Sequence, residues 1–136
     1  MNKIQIFLVI GDEVVDILNP TDKWHKVFDF HYAINNLEDE SGKVTSHIEN
    51  GVVQVTLSSF APKEIKEWAL TPGKSQDCTI LVFDEKDKLL DKTILKQAVC
   101  VNLQTDFNKE REIQVLSKFD LRPKKLVVAD GIEFEN

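Results

Sequence analysis

From Ile4 onward the apolar residues fall on even positions, Ile4, Ile6, Leu8 and Ile10, with Lys3 and Gln5 between them. A period of two predicts a strand, because successive side chains of an extended backbone point to opposite faces. Gly11-Asp12 then predicts a tight turn, and Val14 to Leu18 a returning strand closed by Asn19-Pro20-Thr21-Asp22, so the first two strands should form a hairpin. Trp24, Phe28, Phe30, Tyr32 and Ile34 share one parity, with His25, Asp29 and His31 on the other. The segment reads as one strand whose aromatic row faces a core.

Alternation stops between Asn35 and Asn50. Leu37-Glu38-Asp39-Glu40-Ser41-Gly42-Lys43 is charged, holds one glycine and follows no sustained period, which predicts an extended surface loop. Compact domains rarely keep a long unstructured connection without a use for it, so this loop is the first candidate contact site. Strand alternation resumes from Gly51 to Ser58, with Val53, Val55 and Leu57 on one side.

One helix is predicted, from about Pro62 to Leu70: proline suits the first turn, Lys63 and Glu67 stand four apart, and Ile65, Trp68 and Ala69 share a face. Thr71-Pro72-Gly73 stops it, and Trp68 reads as a packing residue against the sheet. Strand patterns recur at Cys78 to Phe83, Leu89 to Leu95, Ala98 to Leu103, Glu112 to Phe119 and Lys125 to Val128. Turn-like Asp84-Glu85-Lys86-Asp87 and Asp106 to Lys109 separate them. The pattern predicts a mainly β chain, a single antiparallel β-barrel of about eight strands with one flanking α-helix. No repeat or linker divides it, so residues 1–136 should be one domain.

Composition narrows the function. A chain of 136 residues buries roughly two thirds of its unfolded surface and holds a core without disulfides or metals. The net charge is −6, and Arg122 with Lys124-Lys125 is the only concentrated basic run, which argues against nucleic acid, since phosphate contacts need a clustered cationic face. The apolar stretch after Met1 is too short for a membrane span and lacks a small-residue cleavage site, so no signal peptide, no membrane insertion and a cytoplasmic start are expected. Cys78 and Cys100 read as free, core-type thiols.

Candidate chemistry is sparse. His25 and His31 lie six residues apart on one strand face, which at about 3.3 Å per residue is roughly 20 Å, too far to share a metal. His47 stands alone, and the two cysteines lack the two further soft ligands that zinc would need. There is no Gly-x-Ser-x-Gly elbow, phosphate-binding glycine loop or calcium loop, and Ser58-Ser59 reads as a source of hydroxyls for the helix start. No catalytic, cofactor or metal site is expected, and the chain does not read as an enzyme.

The order of the pieces resembles the haemolysin-coregulated protein family, the tube proteins of type VI secretion. An aromatic strand, Phe28-x-Phe30-x-Tyr32, is followed by Asp39-Glu40-Ser41-Gly42-Lys43, which stands where the family has Asp-x-x-Gly-(Lys/Arg)-Pro, with Val44 in place of the proline. A glycine-led strand from Gly51 to Ser58 and a helix carrying Glu67-Trp68 come next. Gln97-Ala98-Val99-Cys100-Val101 is similar to the family's Asp-Ala-Tyr-Cys-Val, and the tail Gly131-Ile132-Glu133-Phe134-Glu135-Asn136 to that of Bacteroidetes-type members. The resemblance covers most of the chain and implies a divergent member of that type.

It implies a subunit without cofactors that closes into homo-hexameric rings, stacked into a hollow tube that carries effectors and is ejected by a contractile sheath. Sheath, spike and effector proteins are then further partners. Glu38, Asp39, Ser41, Gly42, Lys43 and Val44 become the ring-stacking loop. Strand Cys78 to Phe83 is apolar on both faces, more than one core needs, and ring formation would bury the excess. The competing reading is a monomeric β-barrel that binds a small apolar ligand inside.

Overall fold

In a computed structural model, the residues described are 3–11, 18–21, 23–38, 40–48, 51–109, 114–128 and 132–135. They form β1 (Gln5–Ile10), β2 (Trp24–Val27), β3 (Asp29–His31), β4 (Ile34–Glu38), β5 (Val44–Ile48), β6 (Val53–Leu57), α1 (Lys63–Leu70), β7 (Ser75–Phe83), β8 (Leu89–Asn108), β9 (Gln114–Arg122), β10 (Lys125–Val128) and β11 (Ile132–Glu135). Nine strands make one antiparallel sheet in the order β2-β1-β7-β8-β9-β6-β3, with β10 on β8 and β11 on β10. Strands β4 and β5 pair only with each other.

The main sheet coils around a core of Leu8, Val53, Val55, Leu57, Cys78, Ile80, Leu95, Phe119, Leu121 and Leu126, each at most 1% exposed. Its ladder does not close on itself. The two ends of the path, β2 and β3, are consecutive halves of residues 24–31, joined through Phe28. Residues 24–27 pair with β1, whereas Asp29 to His31 pair with β6, and the Phe28 amide donates to the Thr56 carbonyl at 2.8 Å. The single aromatic strand expected from Trp24 to Ile34 is thus corrected. The chain changes partner at Phe28, which stands 60% exposed, while Phe30 and Tyr32 stack on each other and pack against the core.

Residues 12–17 and 22, which carry most of the expected returning strand, lie outside the described residues; β1 is flanked instead by β2 and β7. The helix follows its prediction closely. Pro62 stands at its N-cap, Ile65 and Trp68 are fully buried, and the Trp68 indole donates to the Lys74 carbonyl at 2.9 Å. Ser59 is no helix cap: its carbonyl accepts a 2.6 Å bond from the buried Ser117 hydroxyl, which joins the strand-to-helix connection to β9.

The two strands expected from Leu89 to Leu103 are one strand of 20 residues. Its interruption is a bulge. Register with β7 shifts between Gln76 and Cys78, Gln97 sits at φ 48°, and the Asp77 carboxylate accepts from the Gln97 amide at 2.8 Å. A bulge inserts one extra residue and bends the strand. The far edge of β8 is covered by β9 and β10, which keep register across a break at Pro123, a residue with no amide hydrogen for a ladder.

Candidate functional site

Of the predicted contact residues, Glu38 ends β4 opposite Val44, the first residue of β5. The segment is therefore a two-stranded hairpin and not the extended loop expected; Asn35 pairs with His47, Asn36 with Ser46 and Leu37 with Thr45. At its tip Gly42 has φ 84°, a left-handed conformation that side chains disfavour. A Cβ there would meet Glu38 Oε1 at 3.6 Å, an ordinary contact, so backbone conformation and not space calls for glycine. Glu38, Glu40, Ser41, Gly42 and Lys43 are exposed, whereas Asp39 and the Val44 side chain lie outside the described residues. At the base Ile48 is 1% exposed and belongs to the core, so the hairpin is anchored at one end and presents polar groups at the other.

A second surface escaped the sequence pattern. Strands β8 and β9 continue as a ribbon past the core, pairing Thr105 with Ser117, Phe107 with Val115 and Asn108 with Gln114. Leu103, Thr105 and Phe107 oppose Phe119, Ser117 and Val115 on the core-facing side, while Asn102, Gln104 and Asp106 occupy the other. Phe107 is 53% exposed and stacks on Phe60, itself 57% exposed, with centroids 6.0 Å apart. Alternation from Asn102 to Phe107 was the available signal. The expected turn at Asp106 to Lys109 hid it, because the ladder runs through Asn108.

The candidate chemical groups have structural surroundings. Nε2 of His25, which is half-buried, lies 3.4 Å from Glu64 Oε1 and ties β2 to the helix. Cys78 and Cys100 are free thiols, the first buried and the second half-buried. Burial pushes the Cys100 thiol up, opposed by a hydrogen bond with the Asn102 backbone and aided by the Asp120 carboxylate. Among the described residues no group of three His, Cys, Asp or Glu side chains is placed to hold a metal ion, and no helix is long and apolar enough to cross a membrane. Inside the coiled sheet Phe119, Leu57, Ile80, Leu95 and Leu126 are each at most 1% exposed.

Residues 3–136 match the family described as TssD, Hemolysin coregulated protein Hcp. No curated protein matches the chain significantly. Among solved structures, Hcp1 from Flavobacterium johnsoniae is 19% identical at a TM-score of 0.73, covering 97% of this chain and 99% of its own. Hcp1 from Salmonella typhimurium is 14% identical at a TM-score of 0.65, over 96% of this chain and 91% of its own. A type VI secretion system effector from Yersinia pestis is 10% identical at a TM-score of 0.64, over 96% and 99%. At these identities the structural likenesses speak for the fold.

Proposed function

Because the chain belongs to the haemolysin-coregulated protein (TssD) family, we infer that it is a structural subunit of the inner tube of type VI secretion. The observation that carries this is the family match over residues 3–136, almost the whole chain. Working as one domain, copies close into six-membered rings, and rings stack into a hollow tube that carries effectors and is ejected with them. The apolar ribbon face with Phe60 and Phe107 supports self-association, since exposed aromatic surface is costly unless a partner covers it. The role is mechanical rather than catalytic, in keeping with a family of structural tube proteins.

The hairpin tip from Glu38 to Val44 makes the contact between stacked rings. Supporting this, among the described residues its two strands form a ladder of their own, separate from that of the main sheet, and its end exposes charged groups. Replacing Asp39 and Lys43 together by alanine should leave the thermal midpoint of the single ring almost unchanged, because charges at a hairpin tip generally contribute little to folding. The same change should shorten or thin out tubes in electron micrographs at equal concentration. Tubes of normal length from the double variant would remove the hairpin tip from stacking, while a strictly monomeric species in native mass spectrometry of the unaltered protein would remove the tube.

A further inference from the structure

Phe7 and Trp24, half-buried, and Phe83, only 6% exposed, form a cluster of rings beside the main core cluster. Phe7 alternates with the buried Leu8 on β1, and the aromatic trio is absent from the main core. Trp24 and Phe83 stack within 16° of parallel at 6.1 Å, and Phe7 tilts against both at 5.5 and 6.0 Å. With Gln5, Leu18, Pro20 and Asp87 these rings line an open cavity of about 260 Å³.

Asp87 is the one charged residue among those that line the cavity. The turn that carries it is held rigidly, the Asp84 carboxylate accepting from the amides of Lys86 and Lys88 at 2.8 and 2.9 Å. Among the described residues the Asp87 carboxylate is in no ion pair. An aromatic wall beside an uncommitted carboxylate attracts a cation, through the negative ring faces and the charge together. The size narrows the ligand further. Pockets for small organic molecules usually run from about 300 to 1,000 Å³. This one is smaller and open on one side, which suits the end of a single side chain entering from a protein surface.

We propose that the Phe7–Trp24–Phe83 cavity, with Asp87 at its rim, is a docking site for an arginine side chain presented by a protein partner. A guanidinium stacks flat on aromatic rings, is weakly hydrated for a cation, and presents its donors as a fork to a carboxylate, so it satisfies rings and Asp87 at once. A lysine ammonium is a compact, strongly hydrated charge and matches the site less well. Gln5, whose side-chain amide includes an acceptor oxygen, lines the same cavity. The net charge of −6 favours approach of a basic partner.

The test uses the full chain labelled with 5-fluorotryptophan, whose two tryptophans give separate fluorine signals. Trp24 lines the cavity, and Trp68, buried in the core, serves as internal control. N-acetyl-arginine methylamide should shift the Trp24 signal saturably and leave Trp68 still. The lysine analogue should bind more weakly, and Asp87→Asn should weaken the arginine analogue about fivefold at low salt, the upper range for an exposed pair. Trp68 unmoved in Asp87→Asn shows that the variant is folded. An equal shift from N-acetyl-leucine methylamide would reduce the site to an apolar cleft. Tighter binding of choline would make it a small-cation site, and no saturable shift, or none lost in Asp87→Asn, would overturn the proposal.

Discussion

Trp68 shows how one side chain can secure an element. It is fully buried between helix and barrel, and its indole N–H closes a bond to Lys74 beyond the helix end, so one residue fills the core and fixes the chain's exit. Trp68→Ala should lower unfolding free energy by about 3 to 5 kcal/mol in denaturant titration, the usual penalty for emptying a large aromatic site. Trp68→Phe, which keeps most of the volume and loses the donor, should cost less but leave the Lys74 carbonyl unpaired. The thiols supply a pH dependence. Burial raises the Cys78 thiol far above its ordinary 9.0, and the Asp77 carboxylate adds to the rise. The fold therefore favours the protonated thiol. Its contribution is complete below that ordinary value and is lost as pH climbs above it, because there the unfolded chain releases a proton the folded chain keeps. The thermal midpoint should fall above pH 9.0, and Cys78→Val should flatten part of that slope. With a thiol reagent at neutral pH, Cys100 should react slowly and Cys78 only on unfolding.

Elements turn on a few residues placed where the ladder is irregular. At the β8 bulge the Asp77 carboxylate accepts from the Gln97 amide and lies 3.6 Å from Lys96, so one acid holds a strand that bends between β7 and β9. Asp77→Ala should cost about 1 to 3 kcal/mol, since it orphans that amide, measured as a lower midpoint in denaturant titration. Gln97 holds φ 48°, where glycine is at ease, so Gln97→Gly should raise stability by up to about 1 kcal/mol in the same measurement. The bulge also explains what the sequence could tell. Leu95 and Ala98 are both buried three residues apart, which breaks period two, and the pattern was read as two strands where one bent strand exists. The hairpin of β4 and β5 was illegible for another reason. Among its described side chains Ile48 at the base is buried while Ile34, Asn35, Asn36 and Glu38 are exposed, so these give no alternation to read. The helix, by contrast, was legible almost to the residue, because Ile65 and Trp68 face the core and proline and glycine mark its ends. At Phe28 parity misled: the residue continues the aromatic row, but the strand changes partner there and turns the ring to solvent.

For the whole molecule, the question is what covers the apolar surface the barrel leaves open. Coiling the sheet buries the faces that meet Trp68 and Phe119, yet the β8–β9 ribbon extends the same apolar side beyond the last core layer. Phe60 and Phe107 stack there, each still more than half exposed. Such a pair contributes about 0.5 to 1.5 kcal/mol by its ring contact, too little to explain a ribbon this long in a lone subunit. In a closed ring each copy can offer this face to a neighbour, a heterologous contact repeated until the circle is complete. Phe107→Glu separates folding from assembly. Because the side chain is half exposed in the subunit, the change should lower folding stability by no more than about 1 kcal/mol. In the ring it would place a charge against an apolar surface, where burying it unpaired costs several kcal/mol at every interface. Native mass spectrometry should therefore find folded monomers of Phe107→Glu at concentrations where the unaltered protein forms rings, with circular dichroism unchanged. If Phe107→Glu still closes rings at equal concentration, the ribbon lies outside the subunit contact, and the excess apolar face must be met elsewhere in the tube.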